Sequence, residues 1–155
     1  MKKNMFNKNI VINRKINYEY FILKRMEAGL VLEPWEVKAL KFNQVSIINS
    51  YVSFISNEAY LVNATITPIK STFLYKKCNI KRNRKLLLNK KELHILLSHI
   101  NRLHCTAVAL SIYWKKKWCK IEIGIVKGKK QYDKRLDIKK REWNIDKERF
   151  IKNFF

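Results

Sequence analysis

A chain of 155 residues is long enough for one domain with a buried core, plus extensions. It carries 34 Lys+Arg against 12 Asp+Glu, a formal net charge of +22, which points to a polyanionic partner, either nucleic acid or an acidic membrane surface. Three widely spaced cysteines without a C-x-x-C exclude a disulfide framework and a cysteine zinc site, and no apolar run approaches the roughly 18–20 residues of a bilayer span. Abundant Ile, Asn, Phe and Tyr also mark an AT-biased coding sequence, which raises Lys whatever the function, so the placement of charge matters more than its total.

Residues 1–17 are polar and basic, without the sustained apolar region or small-residue cleavage site of a signal peptide. They are expected to form a loose arm with Asn13-Arg14-Lys15 as its cationic knot, pinned near Ile16. In 18–32, YEYFILKRMEAGLVL, aromatic and aliphatic residues dominate. Gly29 divides the run, so two short strands, or one strand bulged there, are expected. Glu27 reads as a solvent-facing strand residue. Pro34 opens a short helix, PWEVKALKF, because the first helical N–H has no partner to lose. Val37 and Leu40 give it a weak apolar stripe, with Lys38 on the polar side. Residues 49–55 and 59–66 have hairpin composition around Ser56-Asn57-Glu58, and Pro68 ends the pair.

Residues 69–85 have no clean period and finish with four cations in the five positions 81–85, a basic loop of a kind that is usually functional or disordered. Of Leu86, Leu87 and Leu88, one turned outward would offer an apolar contact to a base, although the core is the simpler place for all three. Asn89, with Glu92 three positions on, has capping-box spacing before a helix whose Leu93, Leu96, Leu97 and Ile100 form one stripe. His94, His99 and His104 are five residues apart, whereas ligands sharing a helical face need three or four, so no metal site is expected.

Residues 105–114 and 118–126 are the most strand-like pair, turned at Lys115-Lys116-Lys117. Thr106, Val108, Leu110, Ile112 and Trp114 alternate in the first strand. In the second, Cys119, Ile121, Ile123 and Ile125 share one face, which puts Lys120 on the other. Next comes KGKKQYDKR at 127–135. Its clustered cations can neutralise a polyanion and its Tyr132 can stack on a base; the bland alternative is a solvated run that keeps a linker extended. In 136–155, Leu136, Trp143, Phe150 and Phe154 recur at helical spacing, and segment 127–155 carries 11 basic against 5 acidic residues. So thin a stripe is expected to be disordered alone and helical when bound. No phosphate-binding, nucleophile-elbow or zinc-protease motif occurs, so nothing points to an enzyme.

Taken in order, the runs NRK (13–15), YEYFI (18–22), EAGLVL (27–32), WEVKAL (35–40), RKLLLNKKEL (84–93), VALSIYWK (108–115) and KGKKQYDKR (127–135) resemble the small protein B (SmpB) family over nearly the whole chain. The resemblance implies a mainly β fold. A basic arm at 1–17 precedes a small antiparallel OB-like β-barrel with about three short helices at 18–126, and a long basic tail follows at 127–155. It also implies a non-enzymatic, cytoplasmic adaptor of trans-translation, without cofactor or metal, monomeric and bound 1:1 to transfer-messenger RNA. The barrel would bind the tRNA-like domain of that RNA on ribosomes stalled on mRNA lacking a stop codon. The tail would enter the decoding centre, against small-subunit RNA, and follow the empty mRNA channel as a helix.

Carried over by motif, Glu27, Leu87 and Lys120 look like the RNA-binding surface, against the blander readings of Glu27 and Leu87 above. Asn13, Arg14, Lys15, Arg84 and Lys85 look like the RNA-contacting residues around it. Lys127, Gly128, Lys129, Lys130, Tyr132, Asp133, Lys134 and Arg135 look like the decoding-centre segment, and Trp143 and Ile151 like residues that hold the tail in the channel. The chain departs from the family pattern at Pro34, where a small residue is usual, and in the apolar end Asn153-Phe154-Phe155. Two other classes compete: a generic OB-type single-stranded nucleic-acid or translation-factor module, and a peripheral membrane binder using the Trp/Phe stripe.

Overall fold

The computed structural model describes residues 7–69, 78–103 and 105–154; residues 1–6 of the basic arm, 70–77 of the 69–85 stretch, His104 and Phe155 of the apolar end lie outside them. The described residues are mainly β. The strands are β1 (Asn7–Ile12), β2 (Tyr20–Leu30), β3 (Val45–Ser46), β4 (Tyr51–Ile55), β5 (Glu58–Val62), β6 (Thr65–Ile66), β7 (Arg84–Leu87), β8 (Thr106–Lys115) and β9 (Trp118–Gly128). The helices among the described residues are α1 (Ile16–Glu19), α2 (Pro34–Lys41), α3 (Lys90–Leu103) and α4 (Gln131–Phe154). Seven strands form one antiparallel sheet in the order β1-β8-β4-β5-β7-β2-β9, with β9 also paired to β8; β3 and β6 form a separate pair. The ladder thus returns on itself. Its long rungs are β2–β9 and β8–β9, whereas β4–β8, β5–β7 and β2–β7 pair over one or two residues each.

Period-two patterning explains the long rungs. Ile121, Ile123 and Ile125 of β9 and Met26 and Ala28 of β2 face the same buried core as Ile112, Leu61 and Leu96. The unbroken alternation expected of β8 does not hold. A bulge between Ala109 and Ser111 shifts the phase, so Ala107 and Ala109 join Ile112 in the main core. Val108 and Leu110 point the other way, where a second cluster with Ile16 and Val126 covers them. Gly124 makes room for that cluster: a Cβ there would lie 2.9 Å from Leu110 Cδ2.

Other expectations are corrected. Residues 7–12 are not a loose arm but a strand paired with β8. Tyr20–Leu30 is one strand whose irregularity falls between Ile22 and Lys24, not at Gly29, which pairs regularly on both sides. The 56–57 turn joins β4 and β5 with positive φ at Ser56 and Asn57, as a tight hairpin requires, and β6 is separate from β5. Helix α2 begins at Pro34 as expected, but its inner face is Trp35, Glu36, Ala39 and Leu40. Asn89 is followed by α3, and its N–H donates to Glu92 at 2.9 Å, one half of the capping box.

The buried Glu36 holds β7 in place. Arg84 Nε donates to Glu36 Oε1 at 2.7 Å, and both side chains are wholly buried. The rest of the Arg84 fork reaches the carbonyls of Ala64, Arg82 and Ile80, while Arg82 Nη2 takes Glu36 Oε2 at 2.6 Å. Burial lowers the Arg84 pKa and the Glu36 carboxylate opposes that shift. Removing one member of such a pair strands the other, so Glu36→Ala is expected to cost about 3–5 kcal/mol in urea unfolding. A loss below about 1 kcal/mol would contradict this role for the pair.

Candidate nucleic-acid interface

The outward face of β2, β7, β8 and β9 is organised by one rung. Gly29 of β2 pairs with Lys120 of β9 on one side and Leu87 of β7 on the other, and Lys120 pairs in turn with Tyr113 of β8. Paired residues share a face, so a lysine, a leucine and a phenol lie in one row across four strands. Leu86 is buried in the core, which sends Leu87 outward, 56% exposed. Gly29 matters for close approach: a Cβ there would sit 3.1 Å from Leu87 Cβ, so a side chain at 29 would crowd Leu87 where it lies beside β2.

Glu27, two residues back on β2, faces the same way and gathers the polar groups around it. Tyr113 Oη donates to Glu27 Oε2, Lys115 Nζ donates to the same carboxylate at 3.0 Å, and Lys120 Nζ lies 3.5 Å from Oε1. The Tyr113 bond, with help from Lys115 and Lys120, holds the carboxyl below its ordinary 4.5. Partial burial, and then the carboxylate, push the Tyr113 phenol up, so it stays a donor. Glu27 is therefore less an acceptor waiting for a ligand than the post on which two ammonium groups are hung. Lys85 has a similar post on the far side of Leu87, pairing with Glu58, which also accepts from Tyr60 at 2.9 Å. Between them a groove of about 540 Å³ is lined by Glu27, Lys120, Lys85 and Leu87, and by Asn89 and Lys90 where α3 begins.

Two expected contact residues do not belong to this surface. Arg84 is consumed in the Glu36 network, and Asn13 is 4% exposed with its amide donating to the carbonyls of Ile47 and Ile48. Alternation along β7 and the acids brought in by α2 draw Arg84 onto Glu36 and Arg82 onto Glu33 and Glu36, while Lys81 stays exposed. Arg14 and Lys15 are exposed, Lys15 pairing with Glu19 at 3.0 Å. Tyr113, Lys115 and the Gly29 rung were missed from sequence. The bulge in β8 hides the phase that carries Tyr113, and only the register across β2 reveals what Gly29 permits.

The basic segment divides. Lys127 and Gly128 still belong to β9, paired with Phe21 and Tyr20, and a Cβ at Gly128 would meet nothing. Lys129 is turned into the body. Lys130 and Asp133 start α4, the Lys130 N–H donating to Asp133 Oδ2 at 3.2 Å. Lys134 lies over the Tyr18 ring, while Tyr132 is 71% exposed and Arg135 is exposed. Further along, Leu136, Trp143, Phe150 and Ile151 are exposed. Among the described residues no helix is long and apolar enough to cross a membrane.

Because the folded-state Glu27 carboxyl is depressed, its bonds stabilise the face above pH 4.5 and are lost as pH falls through the lower folded value. Tyr113→Phe removes the largest cause and is expected to raise the Glu27 pKa, read by NMR titration, toward 4.5. An unchanged value would contradict the arrangement.

Comparison with known proteins agrees with this geometry. A protein chain solved in work described as "tmRNA-SmpB: a journey to the center of the bacterial ribosome" is 36% identical, with a TM-score of 0.65 over 78% of this chain and 85% of that one. The model of the SmpB protein family matches residues 10–153, from β1 to the last turn of α4. A match over nearly the whole length shows that the chain belongs to the SmpB family.

Proposed function

We propose that this chain is the RNA-binding adaptor of trans-translation in its cell. It binds the tRNA-like domain of transfer-messenger RNA and brings it to ribosomes stalled on mRNA without a stop codon. The observation that carries the reading is the Tyr113–Lys120–Gly29–Leu87 row with Glu27 beside it, in a chain of this family. Lys120 and Lys115 supply attraction for phosphates at a fixed spacing, and Leu87 offers an apolar seat for an unstacked base. Arg14, Lys15 and Lys85 add cations around it. The sheet is an OB-like barrel, a reading supported by the return of the ladder from β9 to β8. The protein acts in the cytoplasm, without catalysis, as one copy per RNA.

The tail supplies the second half of the activity. Lys127, Lys130, Lys134 and Arg135 lie at the decoding centre with Tyr132 free to stack, and α4 follows the mRNA channel with Trp143 and Ile151 against its wall. The exposed turns of α4 enter that channel as a helix.

Lys120→Ala is expected to weaken binding to transfer-messenger RNA by about 1.5–3 kcal/mol, on the order of ten- to a hundredfold in Kd. Fold stability should stay within about 0.5 kcal/mol. A chain ending at Gly128 should keep wild-type affinity and lose tagging of stalled peptides. Equal affinity for bulk tRNA, falling identically with salt, would instead mark a generic binder.

A further inference from the structure

Lys129 stands among cations expected to meet ribosomal phosphate, yet its side chain is only 8% exposed. Its Nζ donates to the carbonyl of Asn17 at 2.8 Å and to Asp137 Oδ2 at 2.6 Å, and lies 4.9 Å from the centre of the Phe21 ring. Its own N–H donates to the carbonyl of Glu19 at 3.0 Å. Asn17 and Glu19 belong to α1 and Phe21 to β2, whereas Asp137 is in the second turn of α4. One ammonium group thus ties the body to the tail helix, between the last rung of β9 and the first turn of α4. The ammonium is nearly removed from water while Asp137 is partly exposed, and the carbonyl and the carboxylate together hold it more directionally than a fully exposed pair would.

We infer that Lys129, with Asp137, is a positioning pair that fixes the direction and rotation in which the tail helix leaves the body. Asp137 lies on the face of α4 that borders Asn17 and Tyr18, along with Arg141, Asn144 and Glu148. Beyond the half-buried Asp137 the helix stands clear of the body, with residues 141–150 exposed, and Tyr132, Leu136, Trp143 and Phe150 lie on the side away from Asp137, from 41% to 73% exposed. At 100° per residue these four positions span only about 40° of the helix circumference. The pair therefore decides which edge of the helix faces a partner. The cation at 129 acts through Asp137 and Asn17, not through phosphate.

The inference rests on the adaptor reading, and its test separates the two. The full-length chain and the variants Lys129→Met, Asp137→Asn and both together are compared for transfer-messenger RNA binding and for tagging rate on stalled ribosomes. A positioning pair predicts that both single variants lower tagging about tenfold and that the double variant is no worse than the poorer single one. It also predicts that Asp137→Asn leaves RNA affinity unchanged. Spin labels at 51 and 145 should give a narrow distance distribution in the wild type and a broad one in each variant. If Lys129 instead met phosphate, Lys129→Met would reduce tagging while Asp137→Asn, which removes an acid from a basic tail, would leave it intact or raised; that result overturns the inference. So would a distance distribution unchanged by either substitution. Failure of the wild type to bind or tag would refute the adaptor reading itself.

Discussion

The outward face depends on one buried ion pair. β7 is a short strand that pairs with β2 and with β5 over only two residues each, too little ladder to hold it in register alone. Glu36 supplies the missing constraint from α2, taking Arg84 at the start of the strand and Arg82 just before it. A buried carboxylate and guanidinium are costly to desolvate, and they persist where geometry satisfies the whole fork, as here. What the cost secures is placement. With Arg84 pointing in, alternation sends Lys85 out, Leu86 in and Leu87 out, beside Gly29 and Lys120.

The same economy recurs at two acids on the outward face. Glu27 orients Lys115 and Lys120, and Glu58 orients Lys85. On a protein with 12 acidic residues against 34 basic ones, these carboxylates do little to lower the overall field. Their effect is to restrict long lysine side chains to one geometry before a polyanion arrives, which reduces the entropy lost on binding.

Much of this was legible in the sequence because it rests on local pattern. The β9 alternation placed Lys120 outward, Pro34 and Asn89 marked helix starts, and motif order identified the family. What escaped was non-local. The Glu36–Arg84 pair joins positions 48 residues apart, so two cations of a run that looked like a phosphate-binding loop, Arg82 and Arg84, are drawn onto Glu36 instead. Asn13 resembled part of a cationic knot, but its amide pins the 47–48 backbone. The bulge in β8 moved Val108 and Leu110 off the face that period two assigned them. Nor does spacing alone show that Lys129 turns inward while its neighbour Lys130 stays exposed.

The central claim is that the β7–β2–β9 face, not another basic surface, touches the folded half of transfer-messenger RNA. The most direct measurement places a photo-crosslinking residue at position 87 and, separately, at 42, an exposed position that does not line the groove. The account predicts crosslinks from 87 to the acceptor-and-elbow half of that RNA and none from 42. Crosslinks from 42 with none from 87 would contradict it.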